Sequence, residues 1–501
     1  MISCLNRLTK TVSRTKTTFV SKMKEGTEKG VRFNVFLNDA DMKKELERQN
    51  VDSSLYDEFI TQKELNQINL WTETGIQYFY TMKTDKAKKE LAVFDKFKST
   101  GKYLIDTSAS LKLDSPTVKF FSESDSDVLQ LKTFLEYYNY KHTCLRKEEQ
   151  KEYFVDRINM ESLADVPEQL DQELDVTLKN KEECRRNLNH RSDSLTPLLF
   201  IEKARSFAKE NNLKFTSFYD NELKEEGLNL IHAVGRGSIN RPGLFVIEYN
   251  GATESDKTLA LVGKGVTYDT GGYNIKRTGS MEDMHMDKGG ACAVFSAFCN
   301  AVDLKLPINL ICAVPLAENS IDDTSYKPGD IIKSHNGLSV EITNTDAEGR
   351  LILCDAMSYV QKKHNIDTMI ELSTLTYATM ISLGDEHAAL FSNDDETAEK
   401  LLDKCGNKFN ERVWRMPLSD KKAELLKGGV SDLINTSKNA NGSAIESAEY
   451  LKYFVEDGVK WVHLDIAGVT LDSDIKYNKG NKNVASGYGV GLLTDFMKKY
   501  K

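Results

Sequence analysis

The second half of the chain is dominated by short, continuous apolar runs separated by loops and by segments with helical spacing. Five runs of strand length cover residues 243–249, 258–262, 308–314, 368–372 and 461–466. Continuous apolar runs are typical of strands that are buried on both faces, and their alternation with helices indicates a mostly parallel sheet. In such sheets ligands bind beyond the carboxyl ends of the strands. The pattern therefore predicts an α/β fold whose functional residues lie in the loops after these strands.

The first 170 residues show a different pattern, with short apolar clusters in segments rich in lysine and glutamate. Apolar residues spaced three and four apart predict helices over 41–49, 65–80, 87–97 and 126–140. Short strands are predicted over 31–37 and 102–105. This region contains no internal repeat and no chemical motif. The mixture predicts a smaller α/β accessory domain over residues 25–170.

A charge-dense segment with sparse leucines connects the two regions. Residues 149–189 are interpreted as a connection that ends in a helix, and Thr196-Pro197 begins another helix, because proline is tolerated in a first helical turn. We therefore divide the chain into a tail over 1–24, the accessory domain, a linker helix over 171–195 and a main domain over 196–501.

Composition narrows the class of protein. The 501 residues are 40% hydrophobic and 29% charged, which is ordinary for a globular protein. A net charge of −9 argues against nucleic-acid binding, and no apolar run approaches the ~18 residues of a membrane helix. The eight cysteines form no CxxC pair, so we expect reduced thiols. The eight histidines include no HExxH, which argues against a histidine-based zinc protease site.

The first 24 residues are basic and rich in serine and threonine. They contain six lysines and arginines, and no acid precedes Glu25. This make-up is typical of a mitochondrial transit peptide, whereas a long apolar segment for secretion is absent. A disordered basic tail on a cytosolic protein fits the same composition. The expected location is therefore cytoplasmic or mitochondrial.

The segment EITNTDAEGRL at residues 341–351 combines two acids and an arginine directly before an apolar helical pattern. Asp346 and Glu348 are two residues apart, so on an extended backbone both would point the same way. Such a pair is able to hold one cation or to bridge two. The alternative is a solvated turn at a helix N-terminus, where acidic residues are favoured in any case.

A second charged segment lies in the glycine-rich stretch 261–291, which carries Lys264, Asp269, Lys276 and Asp287. A phosphate-binding loop is excluded, because neither GxxxxGK nor a helix-opening GxGxxG is present. Together with the acid pair of segment 341–351 this makes four carboxylates, which would repel one another if crowded. Two divalent metal ions about 3.5–4 Å apart would balance them and form a hydrolytic site. Oxygen-rich ligation suits Zn, Mn, Mg or Co.

The motifs also resemble those of a known family. NTDAEGRL at 344–351 is similar to the signature of the leucyl aminopeptidase, or cytosol aminopeptidase, family of two-metal exopeptidases. VGKGVTYDTGGYNIK at 262–276 and MxxDxGGA at 284–291 resemble two further motifs of that family. Shorter matches follow in the family's order: PLAEN at 315–319, PGD at 328–330, STLT at 373–376, WRMPL at 414–418 and HLDIAG at 463–468. The resemblance covers residues 195–501 and implies a catalytic domain there.

The resemblance implies a role for each metal-binding position. Lys264, Asp269, Asp287 and Glu348 would hold one ion. Asp269, Asp346 and Glu348 would hold the other, and the ions would be Zn²⁺ or Mn²⁺. A lysine ligand must be a neutral amine, which two adjacent dications favour by lowering its pKa.

Other positions would act on the substrate. The resemblance implies that Lys276 stabilises the oxyanion of the attacked carbonyl and that Arg350 holds a bicarbonate ion that transfers a proton. Met284 and Thr374 would bind substrate with Tyr377, which replaces a glycine usual in the family and should crowd the first side-chain pocket. The alternatives are that the two lysines are ordinary solvated residues, that Arg350 pairs with a carboxylate and that Met284 belongs to the core.

His463 stands in a predicted strand that ends in an acid, and we expect a packed, hydrogen-bonded histidine rather than a metal ligand. The expected partners of the whole protein are peptides with a free N-terminus and further copies of the chain, as a homo-hexamer built from two trimers. No membrane or nucleic-acid partner is expected. The alternative function is a structural or binding subunit that keeps the fold, with Tyr377 and Glu446 as signs of a closed pocket. The complete ligand set favours catalysis.

Overall fold

The computed structural model describes residues 18–21, 30–37, 39–49, 67–72, 75–82, 91–113, 115–140, 158–438, 441–472 and 484–500. The chain forms two compact units, Met1–Asp175 and Val176–Lys501. Apart from residues 18–21, the segment 1–24 for which a transit peptide or basic tail was considered lies outside the described residues. Among the residues that are described, no helix combines the length and apolar composition that a membrane crossing requires.

The first unit contains a six-stranded sheet. Its strands are β1 (Thr18–Ser21), β2 (Gly30–Phe36), β3 (Gln67–Thr72), β4 (Gly75–Thr81), β5 (Thr117–Phe121) and β6 (Asn159–Ser162), in the order β1-β3-β4-β2-β5-β6. Strands β3 and β4 pair antiparallel, and the other neighbours pair parallel. Its helices are α1 (Asp39–Arg48), α2 (Leu91–Ser110) and α3 (Asp125–Tyr138).

Two secondary-structure predictions for this unit are wrong. The helix predicted over 65–80 is instead the β3–β4 pair, whose apolar residues also alternate with the period of two that suits a strand. The strand predicted over 102–105 lies inside α2, where Leu104 and Ile105 are buried on the inner side of the helix. An apolar run as short as Tyr103 to Ile105 cannot distinguish a strand from a buried helix. The predicted helices at 41–49 and 126–140 and the strand at 31–37 are confirmed.

The second unit alternates strands and helices. Its strands are β7 (Lys214–Tyr219), β8 (Gly243–Asn250), β9 (Thr258–Gly263), β10 (Gly265–Asp269), β11 (Asn309–Asn319), β12 (Ile331–Lys333), β13 (Ser339–Glu341), β14 (Thr368–Ser373), β15 (His387–Ser392), β16 (Arg412–Arg415), β17 (Leu433–Ile434), β18 (Lys460–Asp465), β19 (Leu471–Asp472) and β20 (Val484–Ala485).

The helices that follow α3 are α4 (Glu168–Asn189), which crosses the boundary between the units, α5 (Pro197–Glu210), α6 (Asn221–Glu225), α7 (Asn229–Gly235), α8 (Gly289–Asp303), α9 (Gly349–Lys363), α10 (Tyr377–Leu383), α11 (Asp395–Lys404), α12 (Asp420–Glu424), α13 (Ser443–Lys452) and α14 (Val490–Lys499). A short 3-10 turn at Met284–Met286 precedes α8.

A nine-stranded sheet forms the centre of this unit, in the order β16-β15-β18-β14-β9-β11-β8-β7, with β10 beside the end of β11. The four central strands β18, β14, β9 and β11 are parallel. Antiparallel neighbours β15 and β8 flank them. All five predicted apolar runs are strands, and they are buried because α8 and α14 cover one face while α7, α9 and α13 cover the other. The predicted α/β fold with a mixed, mostly parallel sheet is confirmed.

The extended backbone predicted for the acid pair of segment 341–351 is wrong. Strand β13 ends at Glu341 and belongs to a separate three-stranded sheet, β12-β13-β17. Asp346 and Glu348 lie in the turn before α9, and the backbone of Glu348 is already helical, with φ −75° and ψ −35°. The physical reason is that α9 begins at the residue directly after Glu348, which leaves no room for an extended backbone.

Six cysteines lie in the described part of the chain, and all of them are buried. They are Cys184, Cys292, Cys299, Cys312, Cys354 and Cys405. Those at positions 184, 292, 299, 312 and 354 are free, in agreement with the prediction of reduced thiols.

Candidate two-metal site

Residues from three separate loops meet at the carboxyl ends of the central strands. Lys264 is the single residue between β9 and β10, and Asp269 is the last residue of β10. Asp287 follows the 3-10 turn and precedes α8, while Asp346 and Glu348 precede α9. Carboxylate oxygens of Asp269, Asp346 and Glu348 lie within 4.8 Å of one another. The fold thus brings the predicted ligands together.

The first half of this site consists of Lys264, Asp287 and Glu348. The Nζ of Lys264 lies 2.8 Å from Asp287 Oδ1 and 2.8 Å from Glu348 Oε1, and it donates to the Thr374 carbonyl at 3.0 Å. All three side chains are less than a tenth exposed. Burial by itself lowers the pKa of Lys264, but the charges of Asp287 and Glu348 outweigh burial and raise it.

The second half consists of Lys276, Asp269 and Asp346, and it is more open. The Nζ of Lys276 lies 2.8 Å from Asp269 Oδ2 and 2.5 Å from Asp346 Oδ1. The Asp269 side chain is buried, whereas that of Asp346 is 34% exposed. A substrate can therefore reach Lys276, whereas Lys264 is buried and out of its reach.

Hydrogen bonds hold Asp269 in place. Its Oδ1 accepts from the backbone N–H of Gly271 at 2.9 Å and from Asn319 Nδ2 at 2.8 Å. Asn319 ends β11 and also donates to the Thr345 carbonyl at 3.0 Å, one residue before Asp346. Gly271 has a φ of +86°, which side chains other than glycine rarely adopt. Asn319 lies in the PLAEN motif, but no sequence pattern indicated this contact.

Gly349 leaves the space that Lys264 occupies. A Cβ atom at this position would lie 2.4 Å from Lys264 Cε and 2.6 Å from its Nζ. Since real Cβ contacts are not this short, any larger residue directly after Glu348 would displace the lysine.

The electrostatics of the site favour the uptake of positive charge. Burial and the nearby charge of Glu348 raise the pKa of Asp269 to about 7. Burial also raises the pKa of Asp287, although Lys264 opposes the change. Burial would raise the pKa of Glu348 too, but the two lysines outweigh it and lower that pKa. Mutual repulsion of buried acids is thus only partly relieved by the lysines.

The residues fit a pair of divalent metal ions. Four carboxylates face only two lysines in the two halves of the site. Within the part of the chain that the structure describes, Asp287 Oδ2 and Glu348 Oε2 are buried without a hydrogen-bond partner. Buried polar atoms are normally paired, so free carboxylate oxygens beside an amine form a donor set that metal ions would complete.

Arg350 lies in the first turn of α9, buried beneath the loop that precedes α13. Its Nη1 donates to the Asn435 carbonyl at 2.7 Å and its Nη2 to Ser447 Oγ at 2.6 Å. Its Nε has no hydrogen-bond partner among the described residues, and no ion pair with a carboxylate is found there. The alternative that Arg350 pairs with a nearby acid is therefore wrong for this part of the chain.

Glu446 is buried and holds the same loop. It accepts hydrogen bonds from Thr436 Oγ1 at 2.8 Å and from the Ser437 backbone N–H at 3.0 Å. It thus fixes the segment whose Asn435 carbonyl binds Arg350. Glu446 therefore has a structural role in holding this loop, and the sequence did not indicate that role.

Two of the three predicted substrate-binding residues, Thr374 and Met284, contact Asp287 of the first half of the site. Thr374 follows β14 and donates its hydroxyl to Asp287 Oδ1 at 2.7 Å. Met284 is the first residue of the 3-10 turn and is half-buried. Tyr377 is the first residue of α10, and 73% of it is exposed.

His463 is packed and hydrogen-bonded, as predicted. It is fully buried, and its Nδ1 pairs with Glu371 Oε2 on the neighbouring strand. Its ring stacks between Phe391 and Trp461, with centroid distances of 5.6 Å and 6.3 Å.

Comparison with known proteins gives a family match. The model of the cytosol aminopeptidase family, catalytic domain, matches residues 182–494. A probable cytosol aminopeptidase of Protochlamydia amoebophila is 42% identical over 313 residues, which are 62% of this chain and 62% of that protein. One of Chloroherpeton thalassium is 39% identical over 327 residues, or 65% and 63% of the two chains. The match thus spans less than two thirds of each relative.

Solved structures share the fold over nearly the whole chain. The apo structure of leucyl aminopeptidase from Trypanosoma cruzi has a TM-score of 0.80 at 25% identity and covers 94% of both chains. Leucyl aminopeptidase from Trypanosoma brucei in complex with bestatin has a TM-score of 0.78 at 24% identity, covering 94% and 92%. The bottromycin maturation enzyme BotP in complex with Mn has a TM-score of 0.77 at 23% identity, covering 94% and 99%.

Proposed function

The chain belongs to the cytosol aminopeptidase family, and we propose that it is a metallo-aminopeptidase, which removes the N-terminal residue from peptides with a free amine. One observation carries the proposal. Four carboxylates and two lysines converge at the carboxyl ends of parallel strands, and two of the buried carboxylate oxygens have no partner among the described residues. Active sites of open α/β sheets lie at this edge.

The metal-binding roles follow the two halves of the site. Lys264, Asp269, Asp287 and Glu348 would hold one divalent ion, and Asp269, Asp346 and Glu348 would hold the other. When bound, Zn²⁺ or Mn²⁺ ions supply Lewis-acid activation of water and of the peptide carbonyl. The solved structure of BotP is a complex with Mn, which supports a divalent ion of this kind here. Within this arrangement Gly349 and Asn319 keep Lys264 and Asp269 in place.

Lys276 is the cation that acts on the substrate. Its ammonium group lies at the open half of the site, and the carboxylates of Asp269 and Asp346 fix its direction. It would donate a hydrogen bond to the oxygen of the attacked carbonyl, where negative charge develops in the transition state. Burial by itself would lower the pKa of this amine, but the fixed carboxylates outweigh burial and raise the pKa, which keeps Lys276 protonated.

Asp287 selects a free N-terminus. Its Oδ1 is held by Lys264 and by the Thr374 hydroxyl, which leaves Oδ2 without a described partner. We assign this oxygen to metal binding and to the free α-amine of the substrate, which would itself bind one of the metal ions. A blocked N-terminus would lose this charge-assisted hydrogen bond.

Arg350 would bind a small anion. Its Nη atoms are anchored to Asn435 and Ser447, and its Nε is a buried donor without a partner among the described residues. With these groups Arg350 would orient a bicarbonate ion for proton transfer from water to the leaving amine. Met284 and Tyr377 would border the pocket for the first side chain, beside Thr374.

The proposal extends to the whole protein. We propose an accessory domain over 25–170, a linker helix over 171–195 and a catalytic domain over 196–501. We also propose a homo-hexamer of two trimers, in the cytoplasm or in mitochondria. A non-catalytic subunit would not need the complete ligand set that the chain keeps.

The test is a panel of fluorogenic aminoacyl substrates. Chelator-treated wild-type protein and Glu348→Ala would be assayed with and without added Mn²⁺. We expect metal-dependent hydrolysis by the wild type and a loss of at least about 10³-fold in the variant, because Glu348 serves both ions and single electrostatic contacts contribute 10²–10³-fold. Equal inactivity of both proteins on every substrate would favour the non-catalytic subunit instead.

A further inference from the structure

Lys288, the residue after Asp287, is completely buried and has no carboxylate partner among the described residues. Instead its Nζ donates to three backbone carbonyls, those of Leu188 at 3.3 Å, His190 at 2.8 Å and His285. An ammonium group has three hydrogens, so each carbonyl receives one. A buried charge without a counter-ion is costly, and its presence beside a metal-binding position therefore requires an explanation.

The three carbonyls belong to two segments that Lys288 joins. Leu188 and His190 lie at the end of α4, one inside the helix and one just beyond it. His285 is the middle residue of the 3-10 turn Met284–Met286. The lysine backbone is itself fixed at the start of α8, where Cys292 N–H donates to its carbonyl at 3.0 Å.

A second contact joins the same two segments. The Nη1 of Arg191 lies 2.9 Å from Nδ1 and 3.1 Å from Nε2 of His285, whose ring is buried. The turn needs such support, because a three-residue 3-10 turn is short and makes few hydrogen bonds of its own.

We propose that Lys288 is a positioning residue for substrate recognition, which holds Met284 and Asp287 in one arrangement by tying their turn to residues 188–191. The inference rests on the proposed function, which assigns Met284 to the first side-chain pocket and Asp287 to the substrate amine and a metal ion. Lys288 does not touch the reacting atoms. Its effect is transmitted through the backbone of the turn, and it should therefore alter the choice of first residue more than the rate of the chemical step.

The main variant is Lys288→Met, which keeps the length of the side chain and removes the three donors. We expect KM to rise about tenfold, the ratio of kcat/KM for leucyl over alanyl substrates to change at least fivefold, and kcat to stay within about threefold. We also expect Mn²⁺ binding, measured by calorimetry without substrate, to weaken 10- to 100-fold, as is usual when the supports of a ligand are lost.

Lys181→Met is the matched control. Lys181 is also a buried lysine, on α4, but it pairs with Glu411 and donates to the Gly487 carbonyl, so it does not contact the turn before Asp287. We expect this variant to lower the melting temperature while leaving the substrate ratio and the Mn²⁺ affinity within twofold. Equal shifts in both variants would mean that Lys288 acts only on stability and would overturn the proposal.

Arg191→Met gives an independent test, because Arg191 is exposed and its loss should not prevent folding. We expect the substrate ratio to shift in the same direction as in Lys288→Met, by about twofold. Should Lys288→Met fail to fold, an unchanged ratio in Arg191→Met would overturn the proposal. A folded Lys288→Met with wild-type substrate ratio and wild-type Mn²⁺ affinity would do so directly. Inactivity of the wild type would instead defeat the proposed function, and Mn²⁺ affinity would still test Lys288.

Discussion

Two buried ionic groups lie on the same sheet and differ in their balance of charge. Glu371 on β14 and His463 on β18 are register partners in mid-strand, and both side chains are completely buried. They form one acid–base pair, enclosed by the rings of Phe391 and Trp461. The candidate site at the carboxyl ends of the strands contains four acids and two lysines.

The difference distinguishes a structural ion pair from a candidate ligand site. One acid and one base neutralise each other inside the protein, although desolvation limits the net gain. An excess of acids cannot be neutralised by its own lysines, and burial with the charge of Glu348 accordingly raises the pKa of Asp269 to about 7. Such a cluster is stable in its ionised form only when further cations bind.

Glu371 and His463 form a balanced pair of one acid and one base. Breaking this balanced pair should destabilise the protein without affecting the candidate site. We expect Glu371→Ala to lower the free energy of unfolding by about 3–5 kcal/mol, because it leaves a buried histidine without its partner. Chemical denaturation measures the change, and activity per folded molecule should stay at the wild-type level. The double variant Glu371→Leu/His463→Phe is the control and should be nearly neutral. A double variant as unstable as the single one would show that the pair itself contributes the stability.

Removing a lysine from the candidate site, where acids outnumber lysines, should have the opposite effect. It should lower activity and leave the stability of the fold largely unchanged. We expect Lys276→Met to lower kcat by about 10²–10³-fold, or about 3–4 kcal/mol, because an oxyanion donor is lost. Steady-state kinetics at saturating Mn²⁺ measure it, and calorimetry should show that Mn²⁺ still binds. A kcat within threefold of the wild type would remove Lys276 from the catalytic role.

The balanced pair should also give a pH-dependent stability. Burial alone lowers the pKa of His463, but the charge of Glu371 outweighs it and raises that pKa above the ordinary 6.5. The stabilisation is therefore fully present below pH ~6.5 and is lost as the pH rises through the raised pKa. Relative to the double variant, the wild-type free energy of unfolding should fall as the pH rises above ~6.5, by about 1.4 kcal/mol for each pH unit that separates the raised pKa from its ordinary value. A constant difference across this range would contradict the assignment of charge to His463.

A residue outside both ionic groups should change selectivity alone. Tyr377 is exposed at the start of α10, so Tyr377→Gly should leave stability and Mn²⁺ affinity nearly unchanged. We expect the ranking of first residues in an aminoacyl panel to shift by about 1 kcal/mol, or roughly fivefold, since pocket contacts of this size discriminate side chains by 1–3 kcal/mol. An unaltered ranking would place Tyr377 outside the pocket.

The sequence predicted the second unit well because its chemistry is concentrated in contiguous motifs. Lys264, Asp269 and Lys276 stand within 13 residues, and the central strands are continuous apolar runs that leave little ambiguity of type. The accessory region has no such signals. Its segment 65–80 fits the spacing of a helix and of a strand, and only the pairing of β3 with β4 decides between them.

The supports of the site were not predictable for a different reason. Lys288 is held by the carbonyl of Leu188, which is 100 residues away, and Asn319 reaches Asp269 across 50 residues. Every residue has a backbone carbonyl, whatever its side chain. No pattern in a single sequence therefore indicates which carbonyls will accept these hydrogen bonds. Sequence motifs thus identify groups that carry charge, whereas the contacts that orient them become visible only in the fold.

We infer that the excess of acids in the candidate site requires two divalent ions. The number of Mn²⁺ ions bound per chain tests this inference, measured by calorimetry and native mass spectrometry on chelator-treated protein. We predict two ions for the wild type, two for Glu371→Leu/His463→Phe and fewer than two for Glu348→Ala. A wild-type protein that binds no ion, or a Glu348→Ala variant that still binds two, would contradict this explanation of the site.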